Sequence, residues 1–247
     1  MCRLHRNALS SAKKSVRIRR KLAKLDWDQF APGLALSLHN LAIHGDHNDA
    51  APHIRESVQI LSKLVDSGRL DLSPALAQSL ANLATFLDHK EALSTIRTAV
   101  SMFREISAGN PDRFLPSVAT ALYLKADCEY KLTYYRDALI SLEEAIPELI
   151  CIFNAGSLSF ADHLAKAFAL RGDCHEKLGN IDAAVNSPLE GLKLFLPIFP
   201  KRKDTLADPS NVLLLSYWKR CRSLERDLDL NVIRPYIASK AHGYLHF

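Results

Sequence analysis

A period of 42 to 46 residues runs through this 247-residue chain, and no other feature restricts its fold as much. Ala8, Ala50 and Ala92 stand 42 residues apart and open similar runs, NALSSAKKSV, DAAPHIRESV and EALSTIRTAV. Ala138 and Ala184 continue the series at 46. A second marker, an aromatic or Leu two residues before Pro, recurs at Phe30/Pro32, Leu72/Pro74 and Phe114/Pro116; Phe160 follows 46 beyond Phe114, with Asp162 in place of proline. A unit of this length cannot bury its own apolar face, so neighbouring units must stack.

Between the markers the units match in detail. His39-Asn40-Leu41-Ala42 aligns with Ala81-Asn82-Leu83-Ala84, and Ala126-Asp127-Cys128 with Gly172-Asp173-Cys174. From the small residue of the first helix (Ala42, Ala84, Ala126, Gly172) to the Ala opening the second, the gap is 8, 8, 12 and 12 residues. Four residues are about one helical turn. The first two units are therefore expected to have a shorter first helix or a tighter turn.

The pattern resembles the tetratricopeptide repeat, a helix-turn-helix with a small residue in its first helix, Leu-Gly near the turn, Ala early in the second helix and another small residue seven later. Arg171-Gly172-Asp173-Cys174-His175-Glu176-Lys177-Leu178-Gly179-Asn180-Ile181-Asp182-Ala183-Ala184 is the clearest copy, with Gly191 at the later small position, which Ala99 and Ala145 hold in units two and three. The longer period and the Phe-x-Pro entry resemble the extended units of kinesin light chain and of tandem arrays in large fungal signalling proteins. Ser57 stands where Ala is expected, Pro188 interrupts the last second helix, and Lys125 and Arg171 replace a usual apolar residue. The resemblance implies an all-α, right-handed superhelix of about four and a half hairpins. It divides the chain into a basic half repeat (1–29), a repeat domain (30–230) and a tail (231–247).

Composition agrees with a packed fold. The chain is 48% apolar and 24% charged, with nine glycines and eleven prolines, which leaves little room for long disordered tracts. No apolar run reaches the length of a membrane span, and the N-terminus lacks the apolar core of a secretory signal. Five cysteines, widely spaced and without a CxxC pair, indicate neither a disulfide framework nor a zinc module and fit a reduced, cytoplasmic compartment. His44, Asp46 and His47, with Asp88-His89 at the matching turn, read as turn residues because no second cluster would complete a metal shell. A phosphate loop, a GxSxG elbow and an HExxH helix are all missing from the sequence, so neither catalysis nor a cofactor is expected.

Charge is distributed unevenly. Residues 1–25 carry nine Lys or Arg and no acid, so with Asp26 and Asp28 the first thirty residues sum to +7; the remaining 217 sum to −2. Ala8 to Pro32 aligns without a gap to Ala92 to Pro116, which makes Leu9, Ala12, Val16 and Ala23 the apolar face of a second helix. Its basic face is a solvated helix surface, a targeting element or a partner contact, and Arg17, Arg19, Arg20 and Lys21 are the candidates for nucleic acid.

Several boundaries follow from turn chemistry. The first helix of the first full unit is expected from about Pro32 to His44, with proline in its first turn, and its partner is expected to end at Ser67-Gly68. Kinks are expected at Pro147 and Pro188. Residues 201–205 read as a loop, Asp208-Pro209-Ser210 as the entry to a helix over 211–229, and Tyr217 and Trp218 as the close of the array. Residues 230–247 read as a degenerate partner helix or tail ending in Tyr244, Leu245 and Phe247.

The resemblance also implies a groove lined by first-helix residues. Its positions fall on Asn40, Ile43, Asn82 and Thr85, on Thr120, Tyr123, Asp127, Tyr130 and Lys131, and on Lys166, Asp173, Glu176 and Lys177. Asn40 and Asn82 would either grip an extended peptide backbone or bond across their own hairpins. Asp127 and Asp173 stand where a carboxylate clamp for chaperone tails needs Lys or Arg, so an acidic groove favouring basic or mixed segments is expected. The expected role is a protein-binding scaffold taking a peptide or protein segment, with no membrane partner and no small-molecule substrate.

Overall fold

The computed structural model describes residues 3–44 and 47–238. The Gly45-Asp46 turn, the His47 side chain, Cys2 and the end at Tyr244, Leu245 and Phe247 lie outside the described residues. Every described element is helical, which makes the chain an all-α repeat. It divides into two compact units, Met1–Ser117 and Val118–Phe247.

The first unit begins with α1 (Arg3–Ala23), followed by α2 (Trp27–His44) and α3 (His47–Asp66) as one hairpin and α4 (Ser73–Ala84) and α5 (His89–Ser107) as the next. Sequence explains the limits of these helices. The Asp26 carboxylate accepts the Gln29 N–H at 3.0 Å, so α2 starts at Trp27 rather than at Pro32. Pro32 then lies inside the helix, where the carbonyl it leaves without an intrahelical donor belongs to exposed Asp28 and faces water. At the end of α3, Gly68 adopts φ +102 and the Arg69 N–H reaches the Leu64 carbonyl at 3.0 Å, a Schellman closure that needs a residue free to enter the left-handed region. Asp88 caps α5 by accepting the Lys90 and Glu91 N–H groups at 3.0 and 3.1 Å.

The apolar stripes of these helices meet in one cluster. Leu34, Leu38 and Leu41 of α2 pack with Ile60, Leu61 and Leu64 of α3, Leu76 of α4 and Val16 and Ala23 of α1. The basic N-terminal segment is therefore a packed helix, as the register requires. Ser57, in place of the expected Ala, is fully buried and donates to the Ala35 carbonyl at 2.8 Å.

The second unit takes α6 (Pro111–Lys131) from Val118 onward, α7 (Tyr135–Asn154), α8 (Ala161–Lys177), α9 (Ile181–Phe195), α10 (Lys203–Ser223) and α11 (Leu230–Ala238). α6 ends five residues beyond Ala126 and α8 five beyond Gly172, whereas α2 ends two beyond Ala42 and α4 at Ala84 itself. The four extra residues of the longer period thus add a turn to the first helix. α7 and α9 continue through Pro147 and Pro188 as single helices. α10 starts at Lys203 and ends at Ser223, eight residues earlier at its start than expected and six earlier at its end. Pro209 is buried inside it, and the carbonyl that proline leaves unbonded belongs to exposed Thr205. α11 returns onto α9, where the Tyr236 hydroxyl donates to the Leu192 carbonyl and its ring lies 4.5 Å from Phe199. Tyr217 is buried and Trp218 half-buried with Arg222 over its ring.

Candidate functional site

In the first unit the informative place is between α2 and α4, the first helices of successive hairpins. His39 of α2 is held by two α4 side chains one turn apart. Its Nδ1 lies 2.9 Å from Ser79 Oγ, and Asn82 Nδ2 donates to its Nε2 at 3.2 Å. With Nε2 accepting, the proton sits on Nδ1 and the ring is neutral. Burial lowers the His39 pKa below its ordinary value, and nearby His44 pushes in the same direction. Asn82 is thus committed to the preceding hairpin rather than to its own second helix, and Asn40, its register mate, is exposed. Beside the histidine a largely apolar cleft of about 340 Å³ opens, walled by Gly33, Leu36, Ala75 and Gln78 and floored by Leu61. Leu36 is 55% exposed there, as is half of Ile43 nearby in sequence.

In the second unit most of the expected groove residues lie in or beside the added turn. Lys131 donates to Asp127 at 2.6 Å, and the Tyr130 ring lies 5.4 Å from Tyr135. Tyr123 meets His163 edge-on at 5.9 Å, and its hydroxyl pKa is raised by burial first and by the Asp127 and Asp162 carboxylates second. Lys166 pairs with Asp162 at 2.7 Å. Lys177 is exposed, and the Thr120 hydroxyl is buried without a hydrogen-bond partner among the described residues.

Asp173 and Glu176 meet a residue that the groove pattern did not include, Arg220 of α10. Its Nη2 donates to Asp173, its Nε lies 3.3 Å from Glu176 Oε2, and its Nη1 donates to the Ser216 carbonyl at 3.0 Å. The Arg220 side chain is only 5% exposed, so the chain supplies its own buried cation to these carboxylates. Burial raises the Asp173 pKa, with Arg220 pulling against it. With Lys131 on Asp127 and Arg220 on the other two, the acidic surface expected from sequence is largely balanced from within. A cleft of about 570 Å³ opens here between α8 and α10, lined by Ala169, Glu176, Leu215, Lys219 and Arg220. The signal for Arg220 was present in the register: it stands 46 residues after Cys174 and 92 after Cys128, where a small buried thiol became a cation.

The four basic candidates separate. Arg17, Arg20 and Lys21 line one cleft of about 410 Å³ together with Lys13, Lys24 and His53. Arg19 turns the other way, its Nη1 donating to the Gly33 carbonyl and to Ser37 Oγ, and ties α1 to α2.

Cys128, Cys174 and Cys221 are buried, and burial pushes the first two thiols up to about 11 and about 12, so they are not thiolates at neutral pH. Among the described residues no group of three or more His, Cys, Asp or Glu side chains is arranged to hold a metal ion. No helix among them is long and apolar enough to cross a membrane.

Stacked helical hairpins with clefts between their first helices define a helical repeat protein. The crystal structure of BtubC (BKLC) from P. vanneervenii is similar in fold, with a TM-score of 0.57 and 17% sequence identity over 98% of this chain and 95% of that one. At this identity the likeness concerns the fold. No protein-family model matches the sequence, and no curated protein matches it.

Proposed function

We propose that the chain is a tetratricopeptide-type interaction scaffold, without catalysis of its own, that holds a segment of a partner protein against the faces of its first helices. One observation carries this reading. In both units a cleft opens at the same architectural place, between the first helices of consecutive hairpins: α2 and α4 in one, α8 and α10 in the other. The first is apolar with a neutral imidazole at its edge, and the second is polar, with Glu176, Lys219 and Arg220 on its walls. A segment held at the first would accordingly seat aliphatic side chains, and one held at the second polar or zwitterionic ones. The internal pairing of Asp127, Asp173 and Glu176 removes the bias toward basic partners that the bare sequence suggests.

The test is retention of a partner from cell extract by the native chain and by Leu36→Asp and Leu215→Asp, which place a charge in each cleft at an exposed site and leave Arg220 untouched. The expected result is a discrete protein retained by the native chain and released by one or both variants. Retention unchanged by both variants would remove the first-helix clefts from the binding surface.

A further inference from the structure

The cleft between α1 and α3 is independent of those surfaces and has a different chemistry. Lys13, Arg17, Arg20 and Lys21 follow one another at steps of four, three and one residues, which puts the four on a single face of α1, and Lys24 stands in the turn just past its end at Ala23. The four extend over eight helical steps, about 12 Å of helix axis. An extended peptide covers that distance in about four residues. His53 of α3 forms the opposite wall, and Val16 and Leu41 form an aliphatic floor. Arg20 Nη2 also donates to the Glu56 carboxylate of α3 at 2.8 and 2.6 Å.

We propose that this cleft receives an extended acidic segment of another protein, its carboxylates spread along the α1 cations and one aliphatic side chain seated on the Val16–Leu41 floor. Charge complementarity sets the sign of the partner. The lining argues for peptide over nucleic acid, because among the described lining residues the one ring is the His53 imidazole and no Phe, Tyr or Trp offers a larger face, whereas single-stranded nucleic-acid grooves stack successive bases on such rings. The elongated row of cations also differs from the compact focus that a single phosphate would need.

The experiment is fluorescence-anisotropy titration of the full chain with two labelled probes, a nine-residue peptide alternating glutamate with leucine and a nine-residue oligothymidylate. Each is measured at low and moderate salt and repeated for two charge-matched variants. Arg17→Glu/Lys21→Glu reverses two cleft cations, and Lys14→Glu/Lys63→Glu reverses two exposed cations outside it. Circular dichroism confirms that both remain helical. The expected result is that the peptide binds the native chain, that the cleft variant weakens it more than tenfold, and that the control variant changes it less than twofold. Equal losses in both variants would reduce the effect to net charge and overturn the proposal. So would absence of peptide binding, or oligothymidylate binding tighter than the peptide with the same dependence on Arg17 and Lys21, which would make this a nucleic-acid surface.

Discussion

In residues 1–117 the helices of the α2/α3 hairpin meet through Ala, Leu and Ile, and Ser57, a neutral donor, bonds the Ala35 carbonyl across it. In residues 118–247 the same hairpin contains charge. Lys125 donates to Ser141 Oγ at 2.8 Å, Ser141 donates to Glu129 at 2.7 Å, and Glu129 is buried. One repeat later, Arg171 donates to Ser187 Oγ at 2.9 Å while Ser187 donates to the Phe168 carbonyl at 2.7 Å. The departures at Lys125 and Arg171 thus have a common cause. In the longer units a long cation reaches from the first helix to a serine three residues after the Ala that opens the second. The comparison teaches that one backbone plan accepts either an apolar or a hydrogen-bonded interface, and the two differ in how they fail. An apolar contact degrades by degrees, whereas a buried polar network fails when one member is removed.

The largest effect follows from that difference. Glu129→Leu strands the partly buried Lys125 ammonium and the Ser141 hydroxyl and is expected to cost about 3 kcal/mol. Lys125→Met added to it is expected to recover most of the loss, because the whole ion pair is then replaced by apolar volume. Urea unfolding gives the totals, and amide exchange localises them to α6 and α7. A single-mutant loss below about 1 kcal/mol would erase the energetic contrast between the units.

The next effect concerns how closely two helices approach. A Cβ added at Gly172 would lie 2.9 Å from the Ala184 carbonyl oxygen and 3.1 Å from the Arg220 guanidinium carbon. Backbone cannot move aside as a side-chain end can, so Gly172→Ala is expected to cost about 2 kcal/mol through opening of the α8/α9 hairpin. Its register mate Ala126 already carries the Cβ, and Ala126→Gly should lose only about 1 kcal/mol, mainly helix propensity. Thermal unfolding of the two variants checks the order. A harmless Gly172→Ala would mean that the two hairpins pack at the same distance.

A smaller effect, of opposite sign, lies at the hairpin turns of the second unit. Thr133 has φ +65 and Gly179, 46 residues on, has φ +78. Both close the same Schellman bond, Tyr134 N–H to Glu129 O and Asn180 N–H to His175 O, each 2.8 Å. A β-branched residue is strained there and glycine is not, so Thr133→Gly is expected to gain about 1 kcal/mol and Gly179→Thr to lose about as much. Denaturation midpoints measure both.

Much of this was legible in sequence because a repeat states its own alignment. The period located each hairpin, the gap of 8 or 12 residues announced the added turn, and Gly68 marked the end of α3. Helix starts were less legible. Proline suggested first turns at Pro32 and Pro209, but an earlier cap at Asp26 and exposed carbonyls at Asp28 and Thr205 let both helices begin sooner. The candidate groove was legible in position and misleading in charge. Asp173 and Glu176 read as free carboxylates because their counter-ion comes from Arg220, 47 residues away from Asp173, and pairing at that range is invisible until the helices are packed.

The smallest and most local prediction returns to the first unit, where α2 and α4 are joined by a neutral histidine, whereas α8 and α10 are joined by a buried arginine. In the folded chain the His39 pKa lies below its ordinary value of 6.5 because of burial. As pH falls through 6.5 the unfolded chain takes up this proton before the folded one does. The contribution of neutral His39 is therefore complete above 6.5 and is lost as pH falls toward the lowered folded value. Protonation also places an N–H on Nε2 against the Asn82 amide donor, which undoes the bond between α2 and α4. His163 and His175 in the second unit have lowered pKa values as well, so global stability alone would not isolate the effect. Amide protection read segment by segment does isolate it: on acidification from about pH 7.5 to about 5.5, protection in α2 and α4 should fall in the native chain and stay level in His39→Gln. Under the proposed function, a partner segment seated in the adjoining apolar cleft would be weakened over the same interval. If His39→Gln loosens with pH as the native chain does, the imidazole is not what makes the contact between α2 and α4 sensitive to protons.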